Sequence, residues 1–244
     1  MFWLIVSEFY QTCDDRVMKA FLAFFAVLSM AFAPVASADD AAERLQEAAA
    51  LFREVMSVPE RSIPQDLLER AHCIVLVPGL KKAAFGFGGK YGRGFTLCRR
   101  EKGGGWGAPG AVRVEGGSVG FQIGVSSTDV VMLVMNQRGM EKLLSSKFTI
   151  GADAAAAAGP VGRQTAAQTD AFMRAEILSW SRSRGAFAGV SLEGATLRND
   201  LDVNRELYGQ PYENRQIVMQ NVAPPKAAAE LLKLLNKYSL HEAR

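Results

Sequence analysis

Fifteen of the 23 glycines in this 244-residue chain lie between Gly79 and Gly124. Within that stretch Val119, Phe121, Ile123 and Val125 share one face of an extended backbone, and Gly120, Gln122 and Gly124 share the other. A period of two is the pattern of a strand. Glycine inside a strand weakens it through chain entropy and lost side-chain packing, so repeated glycine on one face needs a structural reason. One reason is close approach of another backbone, a helix or a ligand. Another is bulges that curl the sheet. Tight internal packing and a groove for a thin ligand such as an acyl chain both stay open at this level.

The remaining pattern frames these strands with helices. Leu45, Ala48, Ala49, Phe52, Val55 and Met56 recur at helical spacing over residues 41–57, opposite Glu43, Arg44, Glu47, Arg53 and Glu54. A second short helix is expected from Ser62 to Ala71. Short strands are expected at 73–78, 84–88, 94–98, 111–114, 119–125, 129–135, 176–181 and 186–192. Tyr91-Gly92-Arg93 reads as a turn, and Glu115-Gly116-Gly117 as a strand stop. Residues 139–145 read as one or two helical turns. Residues 147–162 hold five consecutive alanines, which favour helix, but the flanking Gly151, Gly159 and Pro160 argue for a small-residue strand, and a strand is expected. Helices are expected at 198–207 and 226–238. The expected class is therefore α+β, with a curved antiparallel sheet or barrel-like core of short Gly-rich strands and flanking N- and C-terminal helices.

The first 38 residues read as an address. Lys19 precedes an uncharged apolar run over 20–33, then Pro34 and Ala36-Ser37-Ala38, a small-residue exit. This is the layout of a secretory signal peptide cleaved after Ala38, and the run is shorter than the ~20 residues a membrane-spanning helix needs. Met18 is the expected start, because Glu8, Asp14 and Asp15 do not suit the basic n-region. The expected mature chain, 39–244, is one domain, periplasmic or secreted. It keeps two cysteines, Cys73 and Cys98. In an oxidising compartment they either pair or remain buried thiols.

Two catalytic motifs match by letter only. Gly105-Trp106-Gly107-Ala108-Pro109-Gly110 fits G-x-G-x-x-G, but a strand pattern follows where that motif must open a helix. Gly116-Gly117-Ser118-Val119-Gly120 fits G-x-S-x-G, again followed by a strand, and His241 alone follows as a base. A serine hydrolase at Ser118 is therefore the third and weakest reading. Two histidines and three cysteines exclude a Cys/His-rich zinc module. No metal or cofactor is expected. A formal net charge of +3 does not mark a nucleic-acid protein. The charge is segregated, however: residues 39–78 carry −4 and residues 79–113 carry +7. Lys81, Lys82, Lys90, Arg93, Arg99 and Arg100 are the candidate binding residues in the basic segment. Such a face suits anions, and in an exported compartment these are phospholipid headgroups or anionic glycans. Asp129, Lys147, Asp153, Glu176, Arg182, Arg184 and Glu193 stand in apolar surroundings and are expected to form ion pairs that fix loops and register.

Residues 73–99 (CIVLVPGLKKAAFGFGGKYGRGFTLCR), 116–134 (GGSVGFQIGVSSTDVVMLV), 147–163 (KFTIGADAAAAAGPVGR) and 175–197 (AEILSWSRSRGAFAGVSLEGATL) resemble the SYLF domain family, also known as DUF500, over roughly 41–210. The resemblance implies lipid binding and no enzyme activity. Eukaryotic members bind phosphoinositides through a lysine-rich amphipathic N-terminal helix and the adjoining domain, and some bind actin. Bacterial relatives are exported. This sequence departs at the helix: residues 39–58 carry five acids against Arg44 and Arg53, so an anionic membrane would repel it. Actin binding has no place in a bacterial export compartment. The expectation is an exported, non-catalytic binder of anionic phospholipid at a membrane surface. The alternative is an envelope structural or interaction module for a protein or glycan partner.

Overall fold

The computed structural model describes residues 40–57, 62–100, 105–161, 174–183, 186–190 and 192–239, with the backbone alone at 84–87, 118–123 and 186–187. The leader reading, Arg184 and His241 lie outside these residues. The described residues belong to one compact unit, Ala38–Arg244.

In chain order the elements are α1 (Asp40–Met56), α2 (Gln65–Arg70), β1 (Cys73–Cys98), β2 (Gly110–Val134), α3 (Gln137–Leu143), β3 (Lys147–Thr149), β4 (Ala156–Ala158), β5 (Ile177–Ser183), β6 (Ala186–Gly189), β7 (Thr196–Asn199), α4 (Leu201–Tyr208), α5 (Asn214–Met219), a 3-10 turn (Lys226–Ala228) and α6 (Ala229–Tyr238). The strands form one seven-stranded sheet ordered β3-β7-β2-β5-β4, with β1 on β2 and β6 on β5. It curls into a half-barrel flanked by the N- and C-terminal helices, an α+β fold. Every pairing is antiparallel except β4 with β5.

The six short strands expected between residues 73 and 135 are two long ones. Tyr91-Gly92-Arg93 and Glu115-Gly116-Gly117 are not breaks: Gly92 pairs with Val114, Tyr91 with Glu115 and Lys90 with Gly116. Fully extended, β1 would span roughly 80 Å, yet the Cα atoms of Cys73 and Cys98 at its ends are 4.0 Å apart and their sulfurs are bonded. The strand doubles back about its middle. Register shifts between Val77 and Leu80 and between Phe85 and Phe87 mark the distortions. β2, paired with β1 along most of its length, bends with it, because residues 119–123 lie opposite 85–87.

The glycines make this return possible. A Cβ on Gly94 would lie 2.0 Å from the Leu76 carbonyl oxygen, and one on Gly92 would press into Leu80 and Val77. The two arms of β1 therefore meet backbone against backbone, and the Arg99 N–H donates to the His72 carbonyl oxygen at 2.8 Å. At these two positions close packing is the purpose of the glycine. Around Gly89, Gly117 and Gly124, by contrast, no atom lies within 4 Å of a would-be Cβ.

Both faces of the central sheet are buried, which is why 73–77 reads as an unbroken apolar run. Ile74, Leu76, Phe95, Leu97, Val131, Leu133 and Trp180 pack under the helices with Leu45, Phe52, Leu68 and Leu231. Val75, Val77, Val112, Val114, Val130, Met132, Phe148 and Leu197 fill the second core, to which α3 adds Met140 and Leu143. The apolar stripe of α1 is thus used against the sheet, with Leu45 and Phe52 fully buried.

Three further boundaries differ from the sequence reading. The segment expected as helix at 198–207 begins as β7, and α4 starts only after Asp200, whose side chain accepts the Val203 N–H at its N-terminus. Residues 147–162 hold two short strands rather than one, β3, antiparallel to β7, and β4, parallel to β5. Helix α5 was not anticipated. Its start is a capping box between Glu213 and Gln216, a spacing visible in the sequence.

Candidate functional site

The six basic candidates fall into two groups. Lys81, Lys82 and Lys90 flank the bend of β1, and Arg93 lies three residues beyond Lys90. Arg99 and Arg100 sit past the disulfide end of β1, about 30 Å from Lys90 along the strand.

Lys81 and Arg93 line a groove of about 550 Å³ between α1 and the sheet, with Arg44, Glu47 and Glu54 on the helix side and Tyr91, Ser127, Asp129 and Arg182 on the sheet side. The groove is built on ion pairs. Asp129 and Arg182 are direct cross-strand partners. The Arg182 Nε and Nη2 donate to Asp129 Oδ2 at 2.9 and 2.7 Å, and Arg182 also pairs with Glu54 of α1. Asp129 Oδ1 accepts the Gly79 N–H at 2.9 Å, which holds the β1 distortion at Gly79, where φ is +60°. The isolated charges at 129 and 182 were the sequence signal for this arrangement; the part taken by Arg44, Tyr91 and Ser127 had none.

Within the basic set, partners separate the residues. Arg93 pairs with buried Asp200 at 3.1 Å and lies 4.0 Å from Asp40. Burial pulls the Arg93 pKa down, but Asp200, Tyr91 and Asp40 outweigh it and leave it raised. Arg99 donates to the carbonyl oxygens of Ala71, Leu68 and Ser239 at 3.1, 3.0 and 3.1 Å and lies over the Trp106 ring at 4.5 Å. It ties the end of α2 to the end of α6. Burial lowers its pKa, against an opposing pull from Glu69. Arg100 is exposed beside a smaller hollow of about 260 Å³ lined by Met140, Ile217 and Met219.

Lys81, Lys82 and Lys90 differ from Arg93 and Arg99: like Arg100, none pairs with a described carboxylate within 4.0 Å, and they alone flank the bend. Lys82 lies opposite Ser126 and Lys90 opposite Gly116. Burial lowers the Lys90 pKa, and the Lys82 charge lowers it further.

Of the other described polar candidates, Asp153 and Glu176 fix backbone, and only Glu176 forms the expected ion pair. Asp153 accepts the Thr149 N–H at 2.6 Å, and Glu176 accepts the Ala155 N–H at 3.2 Å and pairs with Arg138 at 3.5 Å. Ser118 lies in β2 opposite Gly88, where the strand runs on without the strand-to-helix turn of a nucleophile elbow. Among the described residues no three His, Cys, Asp or Glu side chains are placed to hold a metal, and no helix is long and apolar enough to cross a membrane.

The family model described as "Ysc84: Las17-binding protein actin regulator" matches residues 115–238. Among curated relatives, LAS seventeen-binding protein 3 of Saccharomyces cerevisiae is 33% identical over 179 residues, 72% of this chain and 39% of that protein. An SH3 domain-containing protein of Schizosaccharomyces pombe is 37% identical over 177 residues, 71% of this chain and 41% of that protein. SH3 domain-containing YSC84-like protein 1 of Rattus norvegicus is 31% identical over 200 residues, 80% of this chain and 58% of that protein. The chain spans about two-fifths of the two yeast proteins and under two-thirds of the rat one. The matched region contains β2 from Glu115 onward and every element after it through α6. The chain belongs to the Ysc84 family, the family of the SYLF domain.

Proposed function

We propose that the chain is an exported, non-catalytic lipid-binding protein of the cell envelope, periplasmic or secreted, which holds anionic phospholipid headgroups through Lys81, Lys82 and Lys90. The observation that carries this reading is the set of three lysines that flank the bend of β1 without described carboxylate partners. Arg93 and Arg99, from the same basic segment, are occupied within the fold. Export draws support from the leader pattern and from the Cys73–Cys98 bond, since such bonds persist in oxidising compartments. Helix α1 is not the membrane element in this reading, because its apolar face lies on the sheet and its exposed face is acidic.

Co-sedimentation with phosphatidylglycerol-containing vesicles tests it. The protein pellets with the vesicles, and Lys81→Glu/Lys82→Glu releases it into the supernatant while leaving the thermal unfolding midpoint in place. Unchanged binding by that variant removes the reading.

A second reading rests on the names of the relatives, which record protein partners. Here the chain is an interaction module of the envelope, for a protein or glycan. Native co-purification separates the two: bound lipid in stoichiometric amount favours the first, and a lipid-free protein with a stable protein partner favours the second.

A further inference from the structure

Between its lysines the ribbon carries no charge at all. Residues 83–89 of β1 and 116–128 of β2 contain no Asp, Glu, Lys or Arg, and they include Phe85, Phe87, Val119, Phe121, Ile123 and Val125. The register nests the two bends: Ala83 lies opposite Val125, Phe85 opposite Ile123, Phe87 opposite Val119 and Gly89 opposite Gly117. β7 leaves β2 at Glu115 and β5 joins it at Asp129, so among the described residues the stretch between them pairs with β1 alone. This part of the ribbon therefore extends past the rest of the sheet.

Its described surface is open. Val125 is 82% exposed, the highest value among the described large apolar residues. Ala83, Gly89, Gly117 and Gly124 are exposed as well. Free strand edges are normally blunted by charge, and an uncharged apolar tip marks a surface with a partner. The charges at its border are all of one effective sign. Glu115 is paired with Arg113 and Arg198, and Asp129 with Arg182, which leaves Lys81, Lys82 and Lys90 as the unneutralised collar. An uncharged tip that exposes Val125 and is bordered along β1 by three lysines is complementary to one surface in particular, a bilayer with anionic headgroups.

We propose that this nested tip enters the bilayer, with Lys81, Lys82 and Lys90 at headgroup level. The proposal rests on the lipid-binding reading above and adds the mode of contact. Pairing between the two bends satisfies part of the backbone, whereas the outer edge of β2 has no partner there among the described residues, and unpaired backbone groups do not enter hydrocarbon. Insertion is therefore shallow, to the boundary of headgroups and acyl chains, about 5–10 Å deep.

A tryptophan at the tip tests this. The two tryptophans in the described fold, Trp106 and Trp180, are buried and give a constant background. In Val125→Trp, phosphatidylglycerol vesicles shift the emission to the blue, and lipids brominated high on the acyl chain quench it. The same substitution at Met219, an exposed position on α5, stays unquenched. Val125→Glu lowers vesicle affinity about tenfold, from the loss of a buried valine contact. Co-sedimentation without quenching means adsorption by charge alone; it overturns insertion and leaves lipid binding standing. Absence of co-sedimentation overturns both. A tip that is shielded by a second copy of the chain, seen as a dimer that Val125→Glu dissociates, also overturns insertion.

Discussion

Removing the Cys73–Cys98 bond is the perturbation with the most calculable effect. The bond closes a loop with a sequence separation of 25 and ties the two ends of β1 where its arms return. In the chain-entropy treatment, a loop of this size contributes about 3.5 kcal/mol by restricting the unfolded chain. For a domain of roughly 200 residues, each kcal/mol moves Tm by about 2–4 °C, so the loss is about 10 °C. Cys73→Ala/Cys98→Ala and the wild-type protein are compared by calorimetry and urea unfolding, without and with reductant. The wild type loses about 10 °C on reduction, and the double variant already melts at the lower temperature and does not respond to reductant. Intact mass before reduction reads the bond directly. Free thiols in the purified, unreduced protein, or a Tm unmoved by reduction, would refute the closure of β1 by this bond.

Three other perturbations probe the same frame. Gly94→Ala places a methyl group 2.0 Å from the Leu76 carbonyl oxygen and forces the arms of β1 apart, a loss of about 3 kcal/mol in urea unfolding, whereas Gly117→Ala, with open space around it, stays within about 0.5 kcal/mol. Arg99→Ala leaves three carbonyl oxygens and the Trp106 face without their cation and lowers stability by about 3 kcal/mol; Arg99→Lys does not restore it, because an ammonium lacks the planar fork. His72 is held below its usual 6.5 by burial and then by the Arg99 charge, so as pH falls below 6.5 the unfolded chain takes up that proton first. Its contribution is intact above pH 6.5 and is lost as the pH drops through the folded value; His72→Gln flattens that limb of the stability profile.

The sequence made the class legible and misplaced the breaks. Alternation at Val119–Val125 and the apolar run at 73–77 identified strands, and helical spacing identified α1 and α6. What failed was reading glycine as punctuation. Gly92 stands where Leu80 and Val77 close on the backbone, and Gly116 continues the ladder opposite Lys90. A single strand cannot show that its own far end packs against it, because that contact is set by the curl of the whole sheet. The same limit applied to the basic segment. The charge count found the right region, yet only the fold distinguishes Arg99, enclosed by carbonyl oxygens, from Lys81, Lys82 and Lys90 around the bend. Asn204 and Asn214 were also invisible. Both are fully buried, and they grip the Ala111 backbone through bonds of 2.8 and 2.9 Å, a partnership between residues about a hundred positions apart.

The sharpest test compares the affinity of the wild-type protein for two vesicles, one of phosphatidylcholine alone and one containing phosphatidylglycerol, at the same salt concentration. Each lysine near an anionic surface contributes about 1 kcal/mol, so Lys81, Lys82 and Lys90 together give a preference of roughly a hundredfold for the anionic vesicle, which shrinks as salt is added. Equal affinity for the two vesicles, or no affinity for either, would contradict anionic lipid binding by this ribbon.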